Sequence, residues 1–188
     1  MKTGVHMYQR MTCRDIYAYW DALRGEAASP MRSQIEPAAI RMALPDLFML
    51  ESTEEGDLSF RLVGTRMCAL FGRELRGHSF NDLWAGGPNS NPVDIAQGVI
   101  AHESPVLMNL LGFFHDGETS RFEMLLLPIR SAEGLCDRLM GALVLEPGEP
   151  NLLTAQTLRY LYLERSRPLK GARPAAATGT PRNQSAAL

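Results

Sequence analysis

Three cysteines, four histidines and a few charged pairs are the residues of this chain with the greatest chemical reach. Cys13, Cys68 and Cys136 are far apart and odd in number. They form neither a disulfide framework nor a zinc site, and they suit a reducing compartment. Cys13 and Cys136 have only Arg14 and Arg138 nearby in sequence, too little to make a reactive thiolate. His6, His78, His102 and His115 lack metal-ligand spacing, so no metal is expected. His115-Asp116-Gly117 reads as a hairpin turn. Gly86-Gly87 precedes Pro88 rather than a helix opening with Lys and Ser or Thr, so it reads as a loop and not a phosphate cradle. The chain also lacks a Gly-x-Ser-x-Gly elbow and a zinc-hydrolase helix. Arg61 and Glu123 are expected to meet as a cross-strand ion pair. No catalytic residue is assigned.

Composition bounds the class. The chain has 188 residues, 45% of them hydrophobic, enough for one domain with a real core. A formal charge of -2 creates no field for nucleic acid. No acidic residue follows Glu164, whereas Arg165, Arg167, Lys170, Arg173 and Arg182 do. Such a tail is ordinarily just solvated. No stretch resembles a signal peptide or approaches the ~18 apolar residues of a membrane span, so a cytoplasmic protein without membrane contact is expected.

The elements follow from periodicity. Thr12 to Leu23 reads as a helix with Ile16, Trp20 and Leu23 on one face, Thr12 and Asp15 at its start and Gly25 as its stop. Leu47–Glu51 and the alternating Leu58, Phe60 and Leu62 form a hairpin across a Gly-containing turn. Short helical turns over Gly64–Gly77 carry Met67, Leu70, Phe71 and Leu75, and Phe80, Leu83 and Trp84 extend their apolar face. Asn91 caps a helix over Pro92–His102. Strands over Val106–Phe114, Arg121–Arg130 and Leu139–Leu145 follow. Leu158, Leu161, Tyr162 and Arg165 suggest a C-terminal helix capped by Thr154. The boundaries are an arm and amphipathic helix at 1–30, a domain at 31–148, the C-terminal helix at 149–167, and a disordered basic tail at 168–188. The class is α+β: one five-stranded antiparallel sheet with short helices on one face and a helix flanking it at each end.

This order resembles the PAS domain family. Arg61-Leu62-Val63-Gly64-Thr65, then Leu70-Phe71-Gly72-Arg73-Glu74-Leu75 and Gly77, is similar to its strand-to-helix run. Arg32-Ser33-Gln34-Ile35-Glu36-Pro37, Leu44-Pro45-Asp46-Leu47-Phe48 and Trp84 resemble a stand-alone bacterial, alphaproteobacterial-type subgroup. The resemblance implies a bacterial sensory or signalling module, without catalytic output, that senses a ligand or meets a partner protein. It implies a pocket between sheet and helices, walled by Met67, Leu70, Phe71, Phe80, Leu83, Trp84, Ile95, Val99, Met108, Leu110, Met124 and Leu126. The same spacings equally describe a simple core. The cofactor is left unknown. Haem is disfavoured because the family's ligand position holds Pro92, leaving His102 as a charge at a helix end. Covalent flavin is disfavoured because Thr65-Arg66-Met67-Cys68-Ala69-Leu70 lacks the reactive-cysteine motif, so Cys68 reads as a buried small hydrophobe.

Ile16, Tyr19, Trp20 and Leu23 are candidates for contact with a second copy or a signalling partner, or for packing on the chain's own sheet. A small hydrophobic ligand is the further possibility; nucleic acid is not expected. The rival readings are a metabolite-binding protein and a small isomerase of the cone-shaped α+β type, against which the early hairpin argues.

Overall fold

The computed structural model describes residues 11–53, 56–85, 91–149 and 156–169. The arm at 1–10, the Gly86-Gly87 loop, Thr154 and the tail from 170 lie outside them.

Helix α1 spans Cys13–Arg24 and starts where the sequence indicates. Thr12 accepts a hydrogen bond from the Asp15 amide, and the Asp15 carboxylate accepts one from the Thr12 amide at 2.9 Å. These bonds satisfy donors that a helix start leaves open. Strands β1 (Leu47–Ser52) and β2 (Leu58–Val63) form the hairpin. Helix α2 (Thr65–Phe71) ends at Gly72, whose φ of 63° suits a residue without a Cβ. Helix α3 (Pro92–His102) is capped by the Asn91 side chain, with Pro92 at its first position. Strands β3 (Val106–Phe114), β4 (Thr119–Arg130), β5 (Cys136–Leu145) and β6 (Leu158–Pro168) complete the described elements.

The sheet order is β2-β1-β5-β4-β3-β6, and all its strand pairs are antiparallel. The early hairpin therefore joins the later strands through β1 and β5, with Leu47 opposite Ala142 and Glu51 opposite Arg138. The five expected strands lie in one sheet, and a sixth extends it. The expected helix over 149–167 is corrected here: Leu158–Pro168 is a strand paired along the whole of β3. Leu161 and Leu163 point into the core while Tyr160 and Tyr162 lie toward the other face, a two-residue period. The free edge of β3 would otherwise leave a row of backbone groups unpaired.

Two cores result. On the inner face, α2, α3 and the 3-10 turn Phe80–Leu83 cover Leu50, Met108, Leu110, Phe122, Met124 and Leu126. On the outer face, α1 and residues 35–43 cover Leu47, Met49, Leu125, Leu127, Ile129 and Met140. Met11 and Leu169 both pack against this outer cluster.

Ile16 and Trp20 are fully buried, and the Trp20 indole donates to the Pro128 carbonyl at 2.9 Å. Of the two roles open to this helix face, these residues take the internal one. They are not available to a partner, while Tyr19 and Leu23 stay half-buried. Arg61 does not meet Glu123: it lies 3.8 Å from Glu51, and Glu123 sits on β4 opposite Asn109 and Val144. Two strands, β1 and β5, separate β2 from β4, so the expected pair was out of reach.

Trp20→Ala is expected to cost about 3–5 kcal/mol in urea unfolding, as for other large buried rings. Ala18→Ser, at an exposed position of the same helix, should cost less than about 1 kcal/mol. Equal losses would show that α1 is not seated on the sheet.

Candidate functional site

The residues expected to wall a pocket do come together. Ten of the twelve are buried in the inner core, and Trp84 and Ile95 pack against it half-buried. What they enclose is mainly one another and aromatic rings. Phe48, Phe60, Phe80 and Trp84 form a chain of ring contacts with centroids 5.3–6.3 Å apart. The cavity beside Met67 and Leu70 measures about 10 Å³, room for roughly one water. The twelve expected wall residues are all apolar, and the two charged residues that line the small cavity, Asp46 and Arg66, are paired with each other. Cys68 is half-buried rather than buried, and its thiol bonds the Glu74 carboxylate at 3.5 Å. His102 is exposed at the end of α3, and His78 is 47% exposed.

The cysteines are poor nucleophiles. Burial pushes the Cys13 thiol up, helped by the Glu123 and Asp46 carboxylates. Burial likewise pushes Cys136 up to about 11, and raises Cys68. Thiolate is the reactive form, so each is held in its inert state at neutral pH. No group of three or more His, Cys, Asp or Glu side chains is arranged to hold a metal among the described residues.

Polar structure concentrates elsewhere, at three places the sequence reading missed. Asp46 is buried and paired with Arg66, tying the turn before β1 to α2. The Glu103 carboxylate accepts from Nε and Nη2 of Arg130, each at 2.8 Å, and the Ser29 hydroxyl donates to the same carboxylate. Glu103 caps α3 with φ 46°, a left-handed conformation unusual for a residue with a side chain. The three residues come from the loop after α1, the end of α3 and the end of β4, far apart in sequence. Asn109 donates to Glu146 at 2.8 Å and accepts from Arg165 at 3.1 Å.

Beyond Asn109 the outer face carries Leu111, Phe113 and Tyr160, which are half-buried, and Tyr162, which is exposed. Cross-strand partners Leu111 and Tyr162, then Phe113 and Tyr160, lie side by side on β3 and β6. The Phe113 and Tyr160 rings are 4.9 Å apart, and Tyr162 is 48% exposed. Arg121 and Glu164 approach to 4.0 Å along its border. Reading Leu158–Arg165 as a helix hid this patch, because a helical period scatters the two tyrosines that a strand aligns.

A PAS domain family model matches residues 8–144. The chain belongs to the PAS domain family, whose members are sensory modules that act by ligand sensing and protein interaction. Solved structures similar to it include the dark state of the blue-light photoreceptor Aureochrome1 LOV, at 19% identity and TM-score 0.46, covering 59% of this chain and 82% of that one. The Rhodobacter sphaeroides LOV protein is similar at 15% identity and TM-score 0.44, over 56% of this chain and 62% of that one. An RNA-binding light-oxygen-voltage receptor is similar at 19% identity and TM-score 0.46, over 62% of this chain and 35% of that one. No curated protein matches. No helix among the described residues is long and apolar enough to cross a membrane.

Burial alone would raise the Glu103 carboxyl, but the Arg130 and Ser29 hydrogen bonds and the Arg130 charge outweigh it and hold the group below its ordinary 4.5. A carboxyl lowered in the folded state stabilises the fold above its ordinary value and loses that contribution as pH falls through the folded one. Glu103→Gln should therefore be less stable than the parent near neutrality. Its deficit should shrink as pH drops below about 4.5 in urea titrations; a deficit independent of pH would contradict the assignment.

Proposed function

We propose that this chain is a non-catalytic signalling module whose output is a contact made by the β3–β6 end of its outer sheet face with a second copy of itself. The observation that carries this reading is the Leu111, Phe113, Tyr160 and Tyr162 patch, two adjacent cross-strand pairs set on rigid strands. Tyrosine and phenylalanine are enriched at protein interfaces, where they bury large area at low entropic cost. The Asn109–Arg165–Glu146 network fixes the boundary of the patch beside the outer core. Tyr19 and Leu23, half-buried on α1, belong to the same face of the sheet and extend the surface toward that helix.

Signal in such a module is a change in how well this face meets its partner. A ligand or stimulus contributes only through a difference in affinity between two states of the face. The tightly packed inner core favours output by contact over a large cofactor held between sheet and helices. Reducing conditions and a cytoplasmic setting agree with three free cysteines.

Light scattering after size exclusion tests the reading. The parent chain should show a mass rising above 20.8 kDa with concentration. The double variant Phe113→Ser, Tyr162→Glu should stay at one chain while keeping its far-ultraviolet circular dichroism. A parent mass of one chain at every concentration, or a variant that associates equally well, would overturn it.

A further inference from the structure

The segment between α1 and β1 crosses the corner of the sheet where β1, β2 and β5 meet. Ile35 and Ile40 point down onto Leu47, Met49 and Met140, and these side chains bound a cavity of about 170 Å³. An apolar cavity of roughly 150 Å³ takes up benzene, so this one admits a ring or a chain of about six to eight carbons. Leu44 and Leu62 also line it and are 41% and 49% exposed, which places them at its mouth. Exposed leucines beside an apolar hollow favour an occupant that covers them.

Arg32 is the charged residue in the lining. Its guanidinium makes no hydrogen bond or ion pair with the described residues. A guanidinium offers a fork of donors that matches a carboxylate. A single cation at the edge of an apolar hollow selects a singly charged head with an apolar tail; a nucleotide brings more charge and polar surface than these walls can satisfy.

We propose that this cavity is a binding site for a small monocarboxylate, either a medium-chain fatty acid or an aromatic acid, with its head on Arg32 and its tail between Ile35, Ile40, Met49 and Met140. The site lies outside the inner core, under the α1–β1 segment. It reaches α1 directly: the Tyr19 hydroxyl accepts from the Glu36 amide at 2.9 Å, and the Gln34 side chain donates to the Leu23 carbonyl at 3.3 Å. An occupant that lifts or tightens this segment thereby pulls on α1. The inference does not depend on the self-contact reading, whose patch lies by β6 at the opposite edge from β2.

Titrating the full chain, labelled at its methionine methyls, with sodium octanoate and separately with 1-octanol tests the proposal by NMR. Octanoate should shift Met49 and Met140 and leave Met67, Met108 and Met124 in place. Arg32→Gln changes a half-exposed side chain. It should weaken octanoate by about tenfold or more, the usual scale of a charge-assisted bond, and leave 1-octanol unchanged. Ile40→Phe, which fills the hollow, should weaken both. Absence of shifts at Met49 and Met140, shifts confined to the inner-core methionines, or equal octanoate binding by Arg32→Gln would overturn it.

Discussion

Phe48 lies across Gly141, its partner on the neighbouring strand, so closely that a Cβ at position 141 would sit 2.0 Å from the ring. This contact joins the early hairpin to the later strands. The hairpin contributes Phe48, Phe60 and Leu50, and the later strands contribute a site with no side chain. The ring fills that gap and reaches Phe60 and Phe80, which in turn meets Trp84. Any larger residue at 141 would push Phe48 off the sheet and break this aromatic chain. Nearby, Gly64 comes so close to the Leu44 and Pro45 carbonyls that a side chain could not fit, which fixes where β2 turns into α2.

The two faces of the sheet are built on different terms. The inner face is sealed by short helices and filled by rings. The outer face is roofed by α1 and the segment after it over β1, β5, part of β4 and Leu107 of β3, and farther along β3 and β6 it carries half-buried Leu111, Phe113 and Tyr160 and exposed Tyr162. Polar networks sit at the borders rather than inside: Asp46 with Arg66, Glu103 with Arg130 and Ser29, Asn109 with Arg165 and Glu146. Each joins segments distant in sequence with charge-assisted bonds, which are directional and so fix the angle at which elements meet.

Much of this was legible beforehand. Caps at Thr12 and Asn91, the stop at Gly25, the hairpin turn at Asp116-Gly117 and the alternation of β2 rest on local backbone chemistry, and local rules place them. The apolar residues of the inner core were identified as a group because their periodicity reports which face is buried. What a pocket needs, a volume left empty, depends on how side chains from all six strands and the covering helices interlock, and no spacing encodes it. Leu158–Pro168 was misread because Leu158, Leu161 and Tyr162 satisfy a helical period as well as a strand period. The open edge of β3, a tertiary feature, decides between them. The meeting of Arg32 and Ile40 with Met140 was not legible for the same reason: it is made by a sheet that brings β1 against β5.

Met11, just before α1, and Leu169, just after β6, rest on one shared apolar cluster. The first and last described segments thus share one apolar footing, although Met11 and the last strand residue, Pro168, lie at opposite ends of the fold's sequence. A change in how α1 seats on that cluster therefore also alters the footing on which the end of β6 rests.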